Sequence, residues 1–156
     1  MIAGDTGGNV FASYPPNADG SSKFLLRGDP YKGIVVKEDG SEVEEDIYEA
    51  YNLSLLLTGQ KGSVPPGHGI RINGDKFMHT SSLKENTYKA KIGDDSHNVT
   101  IDEVYVLKKG KIGVMLAVKG QYFFIGRMDP EKPEQTAAKC CEGLAIGFYW
   151  AIGPDA

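Results

Sequence analysis

The sequence predicts an α+β fold, with a central antiparallel sheet of about six strands and helices on both faces. Three observations carry that reading. Residues 137–153, AAKCCEGLAIGFYWAIG, are apolar at helical spacing. From Gly69 onward short alternating runs are separated by tight-turn signals. The order of elements is short hairpin, helix, antiparallel meander, helix. A chain of 156 residues, 40% hydrophobic, supports one core, so residues 1–156 are read as a single domain.

Ile2-Ala3 and Asn9 to Ser13 read as two strands joined by the turn GDTGG, and Pro15-Pro16 to Ser22 as a loop. Phe24 to Val36 followed by KEDGSEV reads as a hairpin-like excursion turning at Asp39-Gly40. Glu44 to Leu57 reads as a helix, because acidic residues suit its N-terminal end, Ile47, Tyr51 and Leu55 supply an apolar face, and Gly59 stops it. GIRINGDKF holds Asn73-Gly74, the strongest short hairpin signal. Thr87 to Ile92, Val99 to Leu107, Ile112 to Val118 and Gln121 to Met128 follow as strands, with Lys119-Gly120 as a further tight turn. DPEKPEQ introduces the last helix. Its stripe is Ala137, Cys140 or Cys141, Leu144, Phe148 and Ile152, yet the far side also carries Ile146, Tyr149 and Trp150, with Gly143 and Gly147 four apart where a second backbone could approach. That second face needs a cover.

The formal charge is −4, and residues 1–50 hold four basic against ten acidic side chains. No strongly basic surface emerges, which argues against nucleic acid as a partner. The opening MIAGDTGG is too short and polar for a signal peptide, and no apolar run approaches the roughly 20 residues that span a bilayer. A soluble cytoplasmic protein is expected. Cys140 and Cys141 are adjacent, cannot staple distant segments, and are read as small core residues. His68, His79 and His97 lack metal-ligand spacing, GDTGG lacks the Lys-Ser/Thr of a phosphate loop, and no nucleophile elbow is present. The chain is therefore read as a non-enzyme without metal or cofactor. Arg27-Gly28-Asp29 and the Asn98-Val99-Thr100 sequon are read as chance matches. With a two-residue turn at Asn73-Gly74, Arg71 and Lys76 fall opposite each other on one face, as two solvated cations or as the seat of an acidic partner. Lys108, Lys109, Lys111 and Lys139 could extend a basic patch.

GNVFAS, GIRINGDKF, GQYFFIG and PEQTAAKCCEGL, in that order, resemble the profilin family of actin-monomer-binding proteins. Lys23 to Leu57 is similar to an acidic hairpin insertion of some protozoan profilins, which points to a divergent member from a protozoan or another distant lineage, archaea included. The resemblance implies a cytoskeleton-associated protein that regulates actin polymerisation. It implies an actin surface of Arg71, Lys76, Met78, Lys108, Lys139 and Gly143, with Glu142 one position off the family glutamate. It also implies a site for proline-rich segments at Phe11, Phe148, Tyr149 and Trp150, and phosphoinositide binding through Lys108, Lys109, Lys111 and Lys139. Read from Met1, the family's first helix has no counterpart, so a symmetric dimer, a proline-rich ligand or plain exposure is expected at the last helix. The alternative class is a roadblock- or longin-like dimeric scaffold module; a sensor of the PAS type is a third, without a cofactor ligand to support it.

Overall fold

A computed structural model describes residues 1–13, 26–128, 131–132 and 134–155. The loop expected at Pro15-Pro16 to Ser22 lies outside them, as do Phe24 and part of DPEKPEQ. The chain is α+β and divides into two compact units, Ile2–His79 and Thr80–Ala156 with Met1. Among the described residues there are nine strands and two α-helices, and no helix is long and apolar enough to cross a membrane.

In the unit Ile2–His79, β1 (Ile2–Asp5) and β2 (Val10–Ser13) form the expected N-terminal hairpin. Its turn is held by Asp5, whose Oδ1 accepts from the backbone of Gly7 at 2.9 Å and of Asn9 at 3.2 Å. The Asn9 side-chain amide, with those backbone donors, keeps the Asp5 carboxyl below its ordinary range. Gly8 is required at φ 90°, with Ala50 O where its Cβ would be.

A second hairpin pairs β3 (Tyr31–Val36) with β4 (Glu42–Ile47) around the Asp39-Gly40 turn. The expected helix from Glu44 is therefore corrected: α1 spans Glu49–Leu57. Val43, Glu45 and Ile47 alternate inward at period two, and pairing with β3 overrides the acidic composition that suggests a helix start. On α1, Leu53 and Leu56 are buried while Tyr51 is exposed, so Tyr51 does not belong to the apolar face. A 3-10 turn, Lys61–Ser63, precedes β5 (Ile70–Ile72), which pairs with the start of β6 (Asp75–Ile92). Asn73 and Gly74 sit at φ 50° and 84°, the pair of positive values a type I′ turn needs.

The unit Thr80–Ala156 continues β6 and adds β7 (Asp95–Lys109), β8 (Ile112–Lys119), β9 (Tyr122–Met128) and α2 (Ala137–Ile152). The strands are joined by two-residue loops at Gly93-Asp94, Gly110-Lys111 and Gly120-Gln121, each glycine at φ near 60° in the first central position. β8 is buried from Gly113 to Val118. Thr136 caps α2 by accepting from Lys139 N at 3.2 Å. Cys141, Leu144, Ala145 and Phe148 form the buried stripe, whereas Ala137 and Ile152 at its ends are exposed.

The two helix glycines part company. A Cβ on Gly147 would come within 2.8 Å of the Phe124 ring, so this glycine faces the sheet and is no landing place for a second backbone. Gly143 has open space around it. Gly143→Ala is therefore expected to stabilise the protein by up to about 1 kcal/mol through helix propensity. Gly147→Ala is expected to destabilise it by about 1–3 kcal/mol, because the ring must move within a packed core. Paired thermal melts check the opposite signs.

The C-terminal end is clamped by Asp155. Its carboxylate accepts from Thr100 N at 2.9 Å, Thr100 Oγ1 at 2.6 Å and Lys119 Nζ at 3.0 Å. The Thr100 bonds, aided by Lys119 and opposed by partial burial, hold this carboxyl below its ordinary range. A depressed carboxyl stabilises the fold above its unfolded value of about 4, and that stability is lost as pH falls through the folded value. Asp155→Asn is expected to cost about 1–3 kcal/mol at neutral pH and almost nothing in strong acid, where the wild-type group is protonated too. Melting curves of both proteins from pH 7 to pH 2 measure the convergence.

Candidate functional site

The start of α2 lies over one side of the β6–β9 sheet. Phe124 meets Phe148 edge-on at 4.8 Å, and Gly126 sits beneath Cys140 and Leu144, so these β9 residues face the helix. Alternation puts Met128 on the same side. Cross-strand register then carries that side to Gly113 on β8 and Lys108 on β7. The Met128 side chain lies over Gly113, whose missing Cβ leaves it room. Arg127, Met128, Glu134, Gln135, Lys139, Cys140 and Gly143 line a groove of about 340 Å³ here. Lys139, Glu142 and Gly143 are exposed on α2, and Lys108, Lys109 and Lys111 are exposed around the Gly110-Lys111 turn. Lys108 and Lys139 thus belong to one side of this unit, with Met128 between their elements. Burial, then the neighbouring Cys141, pushes the Cys140 thiol up to about 11, so it is a neutral thiol at neutral pH and forms a wall of the groove.

The β5–β6 hairpin belongs to the other unit. Its register is Arg71↔Lys76, as the sequence implies. Arg71, however, is only 8% exposed. Its Nε donates to His68 O at 3.2 Å and its Nη2 to Ile34 O at 2.7 Å. The expectation of two solvated cations, or of an acidic partner seated across both, is corrected for Arg71: the β3–β4 hairpin lies against it, and Ile34 O and His68 O take its donors. Lys76 is half-buried and Met78 is 58% exposed. Beside them Lys61, Val64, Pro65, Pro66, Phe77, Met78 and His79 contribute to a groove of about 220 Å³, at whose rim Lys61 Nζ donates to His79 Nδ1 at 2.9 Å.

What fixes this hairpin is Glu49, a residue the sequence does not single out. The side chain is 1% exposed at the first position of α1. Oε1 accepts from Arg27 N at 2.9 Å and Asn73 N at 2.8 Å; Oε2 accepts from Tyr31 Oη at 2.6 Å and Gly74 N at 2.7 Å. One carboxylate therefore joins α1, β3, the Arg27 loop and the Asn73-Gly74 turn. Burial, then the Glu49 hydrogen bond, pushes the Tyr31 phenol well above its ordinary range, so it remains a donor. The Arg27 guanidinium lies 4.6 Å from the Tyr31 ring centroid, which gives this side chain a packing role within its unit.

The expected proline-rich site is changed in one member. Phe148 is 0% exposed and is a core residue, not part of a platform. Trp150 is 70% exposed and meets Tyr149 edge-on at 5.6 Å, while Tyr149 stacks on His97 at 4.5 Å. His97 thus covers part of the second face of α2. Phe11 is exposed on β2, in the other unit.

Comparison of the sequence with protein-family models and with curated proteins finds no match.

Proposed function

We propose that this protein binds actin monomers through a profilin-like fold and controls their availability for polymerisation in the cytoplasm. The observation that carries the reading is the groove at the start of α2, walled by Met128 and Cys140 and bordered by Arg127, Glu134 and Lys139, with Lys108 on the same side of the sheet. Lys139, beside the apolar Met128 and Cys140 and across from Glu134, is the cation that an acidic protein surface burying an apolar side chain here would meet. The order of the profilin-like segments supports the same assignment, and on their own hairpin Met78 is exposed and Lys76 half-buried. In this reading Glu142 and Gly143 complete the contact at the helix.

Two lesser activities accompany it. Lys108, Lys109, Lys111 and Lys139 attract phosphoinositide headgroups weakly, because four lysines on an acidic protein give limited membrane attraction. Tyr149 and Trp150 retain an aromatic surface for proline-rich segments, without Phe148. The roadblock- or longin-like alternative would use the exposed Trp150 and Ile152 to close a tight dimer without actin affinity, and sedimentation equilibrium separates the two.

Assembly of pyrene-labelled actin tests the proposal. A micromolar excess of wild-type protein is expected to slow spontaneous nucleation, and Lys76→Glu to relieve the inhibition. Unaltered assembly with the wild-type protein removes the reading.

A further inference from the structure

The β3–β4 hairpin has two unlike faces. Its inner face is fixed: Val35 and Ile47 are fully buried, His68 Nε2 bonds Glu45 Oε2 at 2.7 Å, and Arg71 holds Ile34 O. Hydrogen bonds from Lys37 and then His68 keep the Glu45 carboxyl below its ordinary range, so it stays charged in that role. The outer face presents Lys32, Ile34 and Val36 on β3, directly opposite Asp46, Glu44 and Glu42 on β4. Ile34 and Val36 are 52% and 49% exposed.

The charges of this face do not cancel. Lys32 is bound to Asp46 at 2.8 Å, and Lys37 is bound to Glu45. Among the described residues Glu38 and Glu42 then have no ion pair, and Glu44 feels Lys32 only at longer range. Ile34 and Val36 therefore run beside Glu44 and Glu42, two carboxylates without a close cation. At the turn end, Val36, Lys37, Glu38 and Asp39 face Pro66 and Gly67 across a groove of about 440 Å³, which continues the apolar row into a recess. A single exposed aliphatic side chain means nothing, but two, Ile34 and Val36, on one face of a ribbon whose other face is pinned make a preformed surface.

We propose that this face docks a cationic, extended segment of a partner protein, with alternate apolar side chains on Ile34 and Val36 and lysine or arginine side chains toward Glu38, Glu42 and Glu44. Charge complementarity selects the occupant. Anionic lipid and nucleic acid are repelled by the same carboxylates, and a second copy of this face would oppose like charges. Period-two spacing of the apolar row fits an extended ligand, whose successive side chains alternate in the same way.

The probe is a fluorescent heptapeptide of alternating lysine and valine, titrated by anisotropy at about 50 mM salt, with lysine–serine and glutamate–valine heptapeptides as controls. Binding of the lysine–valine peptide is expected to exceed that of lysine–serine several-fold, with no binding of glutamate–valine. Glu42→Lys with Glu44→Lys is expected to weaken it about tenfold or more, and Ile34→Ser with Val36→Ser several-fold. All four positions point outward, so thermal melts of both double variants should match the wild type. Amide shift mapping should place the peptide on residues 32–46. Equal affinity for the charge-reversed protein, equal affinity of the lysine–serine peptide, or shifts centred elsewhere would overturn the proposal. Lys76→Glu and Lys139→Glu should leave peptide binding unchanged, so this test fails or succeeds independently of actin binding.

Discussion

Glu49→Gln is expected to destabilise the protein by about 3–5 kcal/mol, a large share of the stability of an ordinary domain. The carboxylate is buried and takes four donors, from Arg27, Tyr31, Asn73 and Gly74. Glutamine fills the same volume but turns an NH₂ toward two of them, leaving buried donors facing a donor. Each hydrogen bond to a charged acceptor is worth about 1.5–3 kcal/mol, and the unpaired amides carry their desolvation cost as well. Urea unfolding should show a lower midpoint with an unchanged slope. The amide resonances of Asn73 and Gly74 should move, since their acceptor is lost. Glu44→Gln, on the outer face of the same unit, is expected to stay within about 0.5 kcal/mol of the wild type. A loss below about 1 kcal/mol for Glu49→Gln would mean that the carboxylate is not the joint between α1 and the β5–β6 turn.

Lys139→Glu is the second large effect, and it falls on the proposed function with stability spared. Lys139 is exposed at the first turn of α2, and its side chain borders the groove shared with Met128 and Cys140. An acid there suits the positive end of the helix at least as well as lysine does. The fold should therefore tolerate the change. Against an acidic partner the same substitution replaces attraction by repulsion, and interface charges in contact are worth about 1.5–7 kcal/mol. Under the proposed actin binding, the affinity for monomeric actin is expected to fall at least about tenfold, and Lys108→Glu to act in the same direction from β7. Arg71→Glu behaves differently: Arg71 is buried and bonded to His68 O and Ile34 O, so its replacement should unfold part of its unit.

The contrast between Lys76 and Arg71 shows how far the sequence reaches. The Asn73-Gly74 turn is legible because only residues tolerant of positive φ suit a two-residue I′ loop, and the turn dictates the register Arg71↔Lys76. Register says which residues share a face. It does not say what covers that face, and here the cover comes from Ile34, 37 residues earlier. The stripe Cys141, Leu144 and Phe148 of α2 is legible for the same local reason, while the neighbour of Tyr149, His97, is brought in from β7. Glu42 to Ile47 misleads because an acidic run at a helix start and an acidic strand have the same composition; only the alternation of Val43, Glu45 and Ile47 separates them, and six residues are few for a period to show. Glu49 carries no sequence signal at all. Its donors lie 18 to 25 residues away, and no spacing rule connects them.

Sedimentation velocity of the protein mixed with monomeric actin is the most direct measurement. The profilin-like reading predicts a 1:1 complex at micromolar concentrations that is lost with Lys139→Glu and kept with Ile34→Ser. Two independent boundaries at tens of micromolar, with the wild-type protein folded, would contradict it.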